Sequence, residues 1–265
     1  MKLTEKQEKA RKMVCLPLDG LQTLDALEER VEELSQVVGL FKIGKESYTR
    51  FGPKAVEIVQ EKGSDVFLDL KYHDIPNTVK GAANAAAQLG VYMFNVHASG
   101  GVEMMRAAKK GAEEGAEKYG TQVPKITAVT ILTSIDDEIL KNELGYGGDV
   151  QYNVLNLAKL ANSAGLDGVV CSATDLHGIR DKLPKDFMYV TPGIKGPNTP
   201  AGKDQKISRV FTPGNAVQDG SNILVVGRAI TDPRTDEQKK AGIMVTPGMR
   251  VQAGYEVLED MAKYL

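Results

Sequence analysis

The chain has 265 residues, 42% of them hydrophobic, with 33 Lys and Arg set against 35 Asp and Glu. That length and apolar share supply one large core or two small ones, and a net charge of −2 excludes a general nucleic-acid or membrane-surface binder. No apolar run reaches the roughly 18 residues that a membrane span needs, and no signal peptide opens the chain, so a cytoplasmic location is expected.

The first residues, 1–12, are rich in Lys and Glu and predict a solvated helix outside the core. This helix is a short extension to a single domain over 13–265. Eight apolar runs follow, at 14–18, 37–43, 65–70, 92–97, 125–132, 167–171, 187–190 and 222–226. Amphipathic segments at 21–35, 53–62, 77–89, 102–119, 150–164 and 174–182 lie between most of them, and another at 249–265 follows the last. Eight strands alternating with helices match a closed (β/α)8 TIM barrel, an α/β fold of about this size. Strands buried on both faces read as nearly continuous apolar runs, as these do. A doubly wound open sheet is the alternative, less well matched to the strand count and short loops. Segment 191–204 is punctuated by Pro and Gly and reads as a long loop, of the kind that serves as a functional lid. Cys15 and Cys171 sit inside apolar runs and read as buried free thiols rather than a disulfide or metal pair.

In such a barrel the chemistry gathers at the C-terminal ends of the strands. The polar residues expected there are Asp19, Lys42, Asp69 and Lys71 with Asp74, His97, Thr133, Ser134, Ser172, Thr191, Gly227 and Arg228. The most informative stretch runs from Phe67 to Thr78, F-L-D-L-K-Y-H-D-I-P-N-T. Strand side chains alternate with a period of two, so Asp69 and Lys71 are expected on one side and Leu68 and Leu70 on the other. An ammonium between carboxylates is a proton donor rather than a nucleophile. A bare D-x-K-x-x-D also reads as a self-satisfied ion pair; the continuation through Ile75, Pro76 and Thr78 is far more restrictive.

The remaining candidates carry two readings each. Lys42 either extends the charge cluster or is a surface lysine. Gly227-Arg228, after the last strand, reads as a phosphate grip of close backbone approach plus a bidentate fork, or as a turn with a solvated arginine. Gln205 in the long loop either reaches over that phosphate or is an ordinary loop residue. Thr133 and Ser134 either meet the amide edge of a heterocycle or cap the next helix. His97 reads as hydrogen-bonding support, and His73 and His177 are not expected to be catalytic. No His/Cys/carboxylate spacing makes a zinc or iron site, and no nucleophile elbow, Walker or dinucleotide fingerprint is present.

The stretch Phe67–Thr78 stands with Phe41-Lys42-Ile43-Gly44, Val96-His97-Ala98-x-Gly100-Gly101, the run from Ala128 to Ser134, the run from Gly168 to Ser172, Val190-Thr191-Pro192-Gly193-Ile194 and Val225-Val226-Gly227-Arg228. In order and spacing, over about 14–232, these resemble the orotidine 5′-phosphate decarboxylase family. The resemblance implies a homodimer that uses no metal and no organic cofactor. It would convert orotidine 5′-monophosphate to uridine 5′-monophosphate and CO2 in pyrimidine biosynthesis. It implies ribose contacts for Asp19 and Lys42, and Asp69 and Lys71 around the scissile carboxylate, with Lys71 protonating C6. Asp74, Ile75 and Thr78 would enter the neighbouring subunit's site. Thr133 and Ser134 would meet the pyrimidine, and Gln205, Gly227 and Arg228 the phosphate. Two departures bear on that phosphate. Lys195 stands where the bacterial family usually has arginine, and the stretch 204–210 is longer than the usual D-Q-x-R-V by two residues. A metal-dependent sugar-phosphate decarboxylase or aldolase of the same barrel, and a catalytically silent nucleotide-binding barrel, are the alternatives.

Overall fold

The computed structural model describes residues 2–196 and 211–265. Eight parallel strands close into a barrel in sequence order: β1 (Val14–Pro17), β2 (Leu40–Gly44), β3 (Asp65–Tyr72), β4 (Met93–His97), β5 (Lys125–Val129), β6 (Gly168–Val170), β7 (Met188–Thr191) and β8 (Ile223–Val225). Pairing of Val14 with Leu224 and Cys15 with Val225 closes the ring. This is the (β/α)8 barrel that the apolar runs predict. The run at 37–43 yields strand only from Leu40, because Val37 and Val38 donate their N–H groups to Leu34 and finish the preceding helix.

The long helices begin where the sequence supplies a cap. Thr23 accepts from the Ala26 N–H ahead of Leu24–Leu34, and Asp149 accepts from Tyr152 ahead of Val150–Ser163. Pro76 and Pro247 occupy the first turn of Pro76–Gln88 and Pro247–Ala262, where a missing N–H costs nothing. Helices Lys45–Phe51, Asp137–Asn142, Pro213–Gln218, Arg228–Thr231 and Asp236–Lys240 are additions to the sequence reading. They are too short for a helical period to register.

The N-terminal helix forms at Glu5–Met13, opened by a capping box of Thr4 and Gln7. Its placement outside the core is corrected in one respect. Ala10 is fully buried in the main apolar cluster, and the Arg11 carbonyl accepts from the Gly39 N–H at 2.9 Å. Its Lys and Glu face stays exposed, so the segment is amphipathic, with a small residue at its line of contact.

Apolar packing forms two shells. The larger lies between the helices and the outside of the barrel. The smaller fills the barrel axis with one buried residue from each strand: Cys15, Leu40, Phe67, Met93, Val129, Val170, Val190 and Ile223. Its geometry decides where the polar residues go. Two positions further along β2, β3 and β4, on the same inward face, stand Lys42, Asp69 and Asn95. The polar layer is therefore the next storey of the barrel interior. On the outside, the helix Pro76–Gln88 lies so close to Gly101–Tyr119 that a Cβ at Gly115 would sit 2.7 Å from the Asn84 carbonyl. The helix starts at Pro76, four residues after the end of β3, which puts its first turn at the C-terminal end of that strand.

Candidate active site

Lys42 and Asp69 are each 8% exposed and Asn95 is fully buried. Buried charges are tolerated only when paired, and here they pair in a chain. Lys42 Nζ lies 3.0 Å from Asp19 Oδ2 and 3.2 Å from Asp69 Oδ2. Lys71 Nζ donates to Asp69 Oδ1 at 2.6 Å. Signs alternate along Asp19, Lys42, Asp69 and Lys71. Burial weighs most heavily against the charged Asp69, yet the Lys42 and Lys71 ammoniums and the hydrogen bonds from Lys71 and Asn95 hold its carboxyl below the ordinary value. Burial likewise opposes the Lys42 ammonium, and Asp69 and Asp19 overcome it and raise its pKa. Both groups stay ionised.

Asp69 and Lys71 do meet, but regular alternation is not the reason. The β3–β4 register runs Leu68↔Phe94 and then jumps to Tyr72↔Val96. Three residues of β3, Asp69 to Lys71, thus stand opposite the single Asn95. Lys71 absorbs the excess with φ +53°, the only left-handed non-glycine residue among those described. Its N–H donates to Asn95 Oδ1 at 2.8 Å, and Asn95 Nδ2 donates to Asp69 Oδ1 at 2.7 Å.

A second close approach shapes the Lys42 end. A Cβ at Gly44 would fall 2.7 Å from Asp19 Oδ1 and 2.8 Å from Lys42 Nζ. Glycine in the F-K-I-G run therefore leaves room for the Asp19–Lys42 contact.

These groups open onto a cavity of about 190 Å³. Lys42, Asp69 and Lys71 form its polar wall; Phe67, Val129, Val170 and Val225 make its floor, and Ile131, Leu132 and Thr133 its far side. A flat apolar ring carrying one charged substituent suits such a space: apolar contact over most of its area, charges at one edge.

The other predicted residues fall in distinct places. Thr133 lines the cavity, whereas Ser134 is exposed in the same turn and is not on its wall. The capping role offered for Ser134 is overturned, since Asp136 caps Asp137–Asn142 by accepting from the Ile139 N–H. Gly227 and Arg228 follow Val225 at the same end of the barrel, Arg228 opening the helix Arg228–Thr231 with an exposed side chain. Lys195 is half-buried, its N–H bonded to the Phe211 carbonyl. Gln205 lies outside the described residues. Thr191 bonds the Ser221 hydroxyl in the core, and Ser172 caps the turn Ala173–Asp175, so both are structural. The His97 ring packs 5.4 Å from that of His73, and burial pushes its pKa down to about 4, with His73, Lys45 and Lys71 adding to the shift.

Asp74, Ile75 and Thr78 do not line that cavity, although Asp74 and Thr78 line a neighbouring pocket that shares Lys71 with it. All three are exposed, Ile75 by 66%, and the Asp74 carboxylate accepts only from the adjacent Ile75 N–H among the described residues. Asn95 is the site residue that the motif reading missed. Its signal was legible: one polar side chain in the run Tyr92-Met93-Phe94-Asn95-Val96, in phase with the inward Met93. Among the described residues no group of three or more His, Cys, Asp and Glu is arranged to hold a metal ion.

Comparison with known proteins adds three findings. Residues 12–242 match the model of the orotidine 5′-phosphate decarboxylase / HUMPS family. The chain is 48% identical over 229 residues to an orotidine 5′-phosphate decarboxylase of Syntrophus aciditrophicus, covering 86% of this chain and 90% of that one. It is 46% identical over 223 residues to the same enzyme of Moorella thermoacetica, covering 84% and 86%. The crystal structure of orotidine 5′-phosphate decarboxylase from Lactobacillus acidophilus superposes with a TM-score of 0.76 at 35% identity, over 94% of this chain and 98% of that one.

Proposed function

The chain belongs to the orotidine 5′-phosphate decarboxylase / HUMPS family, and from that premise we propose how its residues share the work. The reaction is the decarboxylation of orotidine 5′-monophosphate to uridine 5′-monophosphate and CO2, a step of pyrimidine biosynthesis. The observation that carries the assignment is the alternating chain Asp19–Lys42–Asp69–Lys71 along one wall of an otherwise apolar cavity.

Loss of CO2 from C6 leaves an electron pair in the plane of the ring, where the ring π system does not delocalise it. A cation placed at C6 stabilises that pair and then quenches it by proton transfer. Lys71 does both, as preplaced charge and as general acid. Asp69 holds Lys71 by its Oδ1 and faces the departing carboxylate. Two unit charges about 4 Å apart repel by roughly 4 kcal/mol at an effective dielectric of about 20. That is a fraction of the ~8–23 kcal/mol that enzymes supply, so most of the work falls to Lys71 and to binding of the remote phosphate. Gly227, Arg228, Lys195 and Gln205 take that phosphate, and Thr133, on the cavity wall, meets the pyrimidine.

Asp19 and Lys42 hold the ribose hydroxyls. Gly44→Ala then tests that grip, because the new methyl displaces both side chains. Losing a charge-assisted hydrogen bond costs about 1.5–3 kcal/mol. KM is expected to rise by about 10-fold to 100-fold with kcat changed much less, read from steady-state kinetics.

The active form is a homodimer with shared sites. Ile75, a large apolar side chain exposed beside the site, and Asp74, without an ion pair among the described residues, are what a partner subunit would cover. A cytoplasmic location fits two buried cysteines that form no disulfide. No helix among the described residues is long and apolar enough to cross a membrane.

The deciding experiment is turnover of orotidine 5′-monophosphate in excess EDTA, followed by pyrimidine absorbance. Undiminished turnover is expected. Absence of turnover overturns the assignment, and activity abolished by EDTA and restored by Mg2+ turns it to the metal-dependent alternative. Tight binding of uridine 5′-monophosphate without any turnover marks a silent barrel.

A further inference from the structure

We propose that Asn95 is a positioning residue for the reaction, holding Lys71 and Asp69 in register from the neighbouring strand. The inference rests on the decarboxylase reading. Its basis is the mismatch between β3 and β4, where Asp69, Leu70 and Lys71 stand opposite Asn95 alone. The ladder leaves the Lys71 N–H without its regular partner, and the Asn95 side-chain carbonyl takes that hydrogen at 2.8 Å. The same amide's N–H reaches Asp69 Oδ1 at 2.7 Å, the oxygen that also receives Lys71 Nζ at 2.6 Å. Both ends of the amide are therefore assigned by chemistry: a carboxylate only accepts, and a backbone N–H only donates. One side chain thus ties the backbone of the left-handed residue to the carboxylate that orients its ammonium.

Among the described residues, Asn95 is the side chain that bonds both the Lys71 N–H and Asp69. Alanine leaves the Lys71 N–H and one lone pair of Asp69 unserved inside the barrel. Aspartate keeps the shape and the bond to Lys71 but sets a second carboxylate against Asp69. Around that pair stand Lys42 on β2 with Asp19 beyond it, Lys71 on β3, the buried Cys15 thiol on β1 and His97 at the end of β4. Two carboxylates in contact share a proton at a pH where one alone is ionised. The Asn95→Asp variant therefore regains a donor to Asp69 as the pH falls.

Steady-state turnover of orotidine 5′-monophosphate and calorimetric binding of uridine 5′-monophosphate, measured on the parent, Asn95→Ala and Asn95→Asp, test this. Displacing a reacting group by about 1 Å costs about 100-fold in rate. In Asn95→Ala, kcat is expected to fall by about 10-fold to 100-fold, while affinity for the product changes by less than about threefold. In Asn95→Asp, turnover is expected to peak at least about one pH unit below the parent's optimum. Turnover of Asn95→Ala within about twofold of the parent overturns the inference, as does an equal loss of turnover and product affinity. Should the alanine variant not fold, the isosteric aspartate variant decides alone, and an unshifted pH optimum overturns the proposal. A parent that binds product but does not turn over overturns the decarboxylase reading, and this inference with it.

Discussion

Lys71→Ala is expected to retain no more than about one ten-thousandth of the parent kcat/KM. A positioned general acid contributes about 100-fold to 10,000-fold, and one preorganised charge at the developing anion about 100-fold to 1,000-fold. On the proposed mechanism Lys71 supplies both, and residues acting as a unit do not add simply, so the larger single effect is taken as the floor. The fold is expected to survive. Without the Lys71 ammonium, Asp69 keeps Lys42 at 3.2 Å and the Asn95 amide. Product binding provides the control, because the proposed ribose and phosphate contacts lie elsewhere. A Lys71→Ala enzyme within about tenfold of the parent rate removes the proton donor from the mechanism.

Mixing two inactive variants is expected to restore activity. On the shared-site reading, Asp74→Ala alone should lose about 100-fold to 1,000-fold, because it removes one of the carboxylates that flank the Lys71 ammonium. If Asp74 serves the neighbouring subunit, a dimer of one Lys71→Ala chain and one Asp74→Ala chain concentrates both defects in one site and leaves the other intact. Random pairing under two-fold symmetry puts about one site in four in the native state. Dissociating an equimolar mixture and letting it reassociate should therefore recover about a quarter of parent activity from two preparations with almost none. A mixture as inactive as its components confines Asp74 to its own subunit. The exposed position of Asp74, Ile75 and Thr78 is what makes this outcome the expected one.

The barrel was legible because strands buried on both faces are written as apolar runs, and all eight runs became strands. The charged residues of the site were legible too, since Lys42, Asp69 and Lys71 break those runs at their ends. What was not legible was nonlocal. Nothing in Leu70-Lys71-Tyr72 announces a left-handed residue, for no glycine marks it; the conformation is imposed by pairing with a shorter stretch of β4. Asn95 is legible as a lone polar side chain in phase with Met93, but its bonds to the Lys71 N–H and to Asp69 are not. Ser134 was ambiguous because several capping residues crowd ahead of one short helix, and Asp136 is the one that caps it.

The backbone at Lys71 has a consequence for how this barrel tolerates change. A left-handed conformation at a side-chain-bearing residue costs about 1–2 kcal/mol, and glycine alone occupies it freely. On the proposed mechanism the position demands a lysine for its chemistry, while its geometry prefers glycine. Strain of that size is a noticeable share of the margin by which a domain stays folded. If Lys71 is the proton donor, heat tolerance and turnover pull in opposite directions at the one left-handed side chain among the described residues.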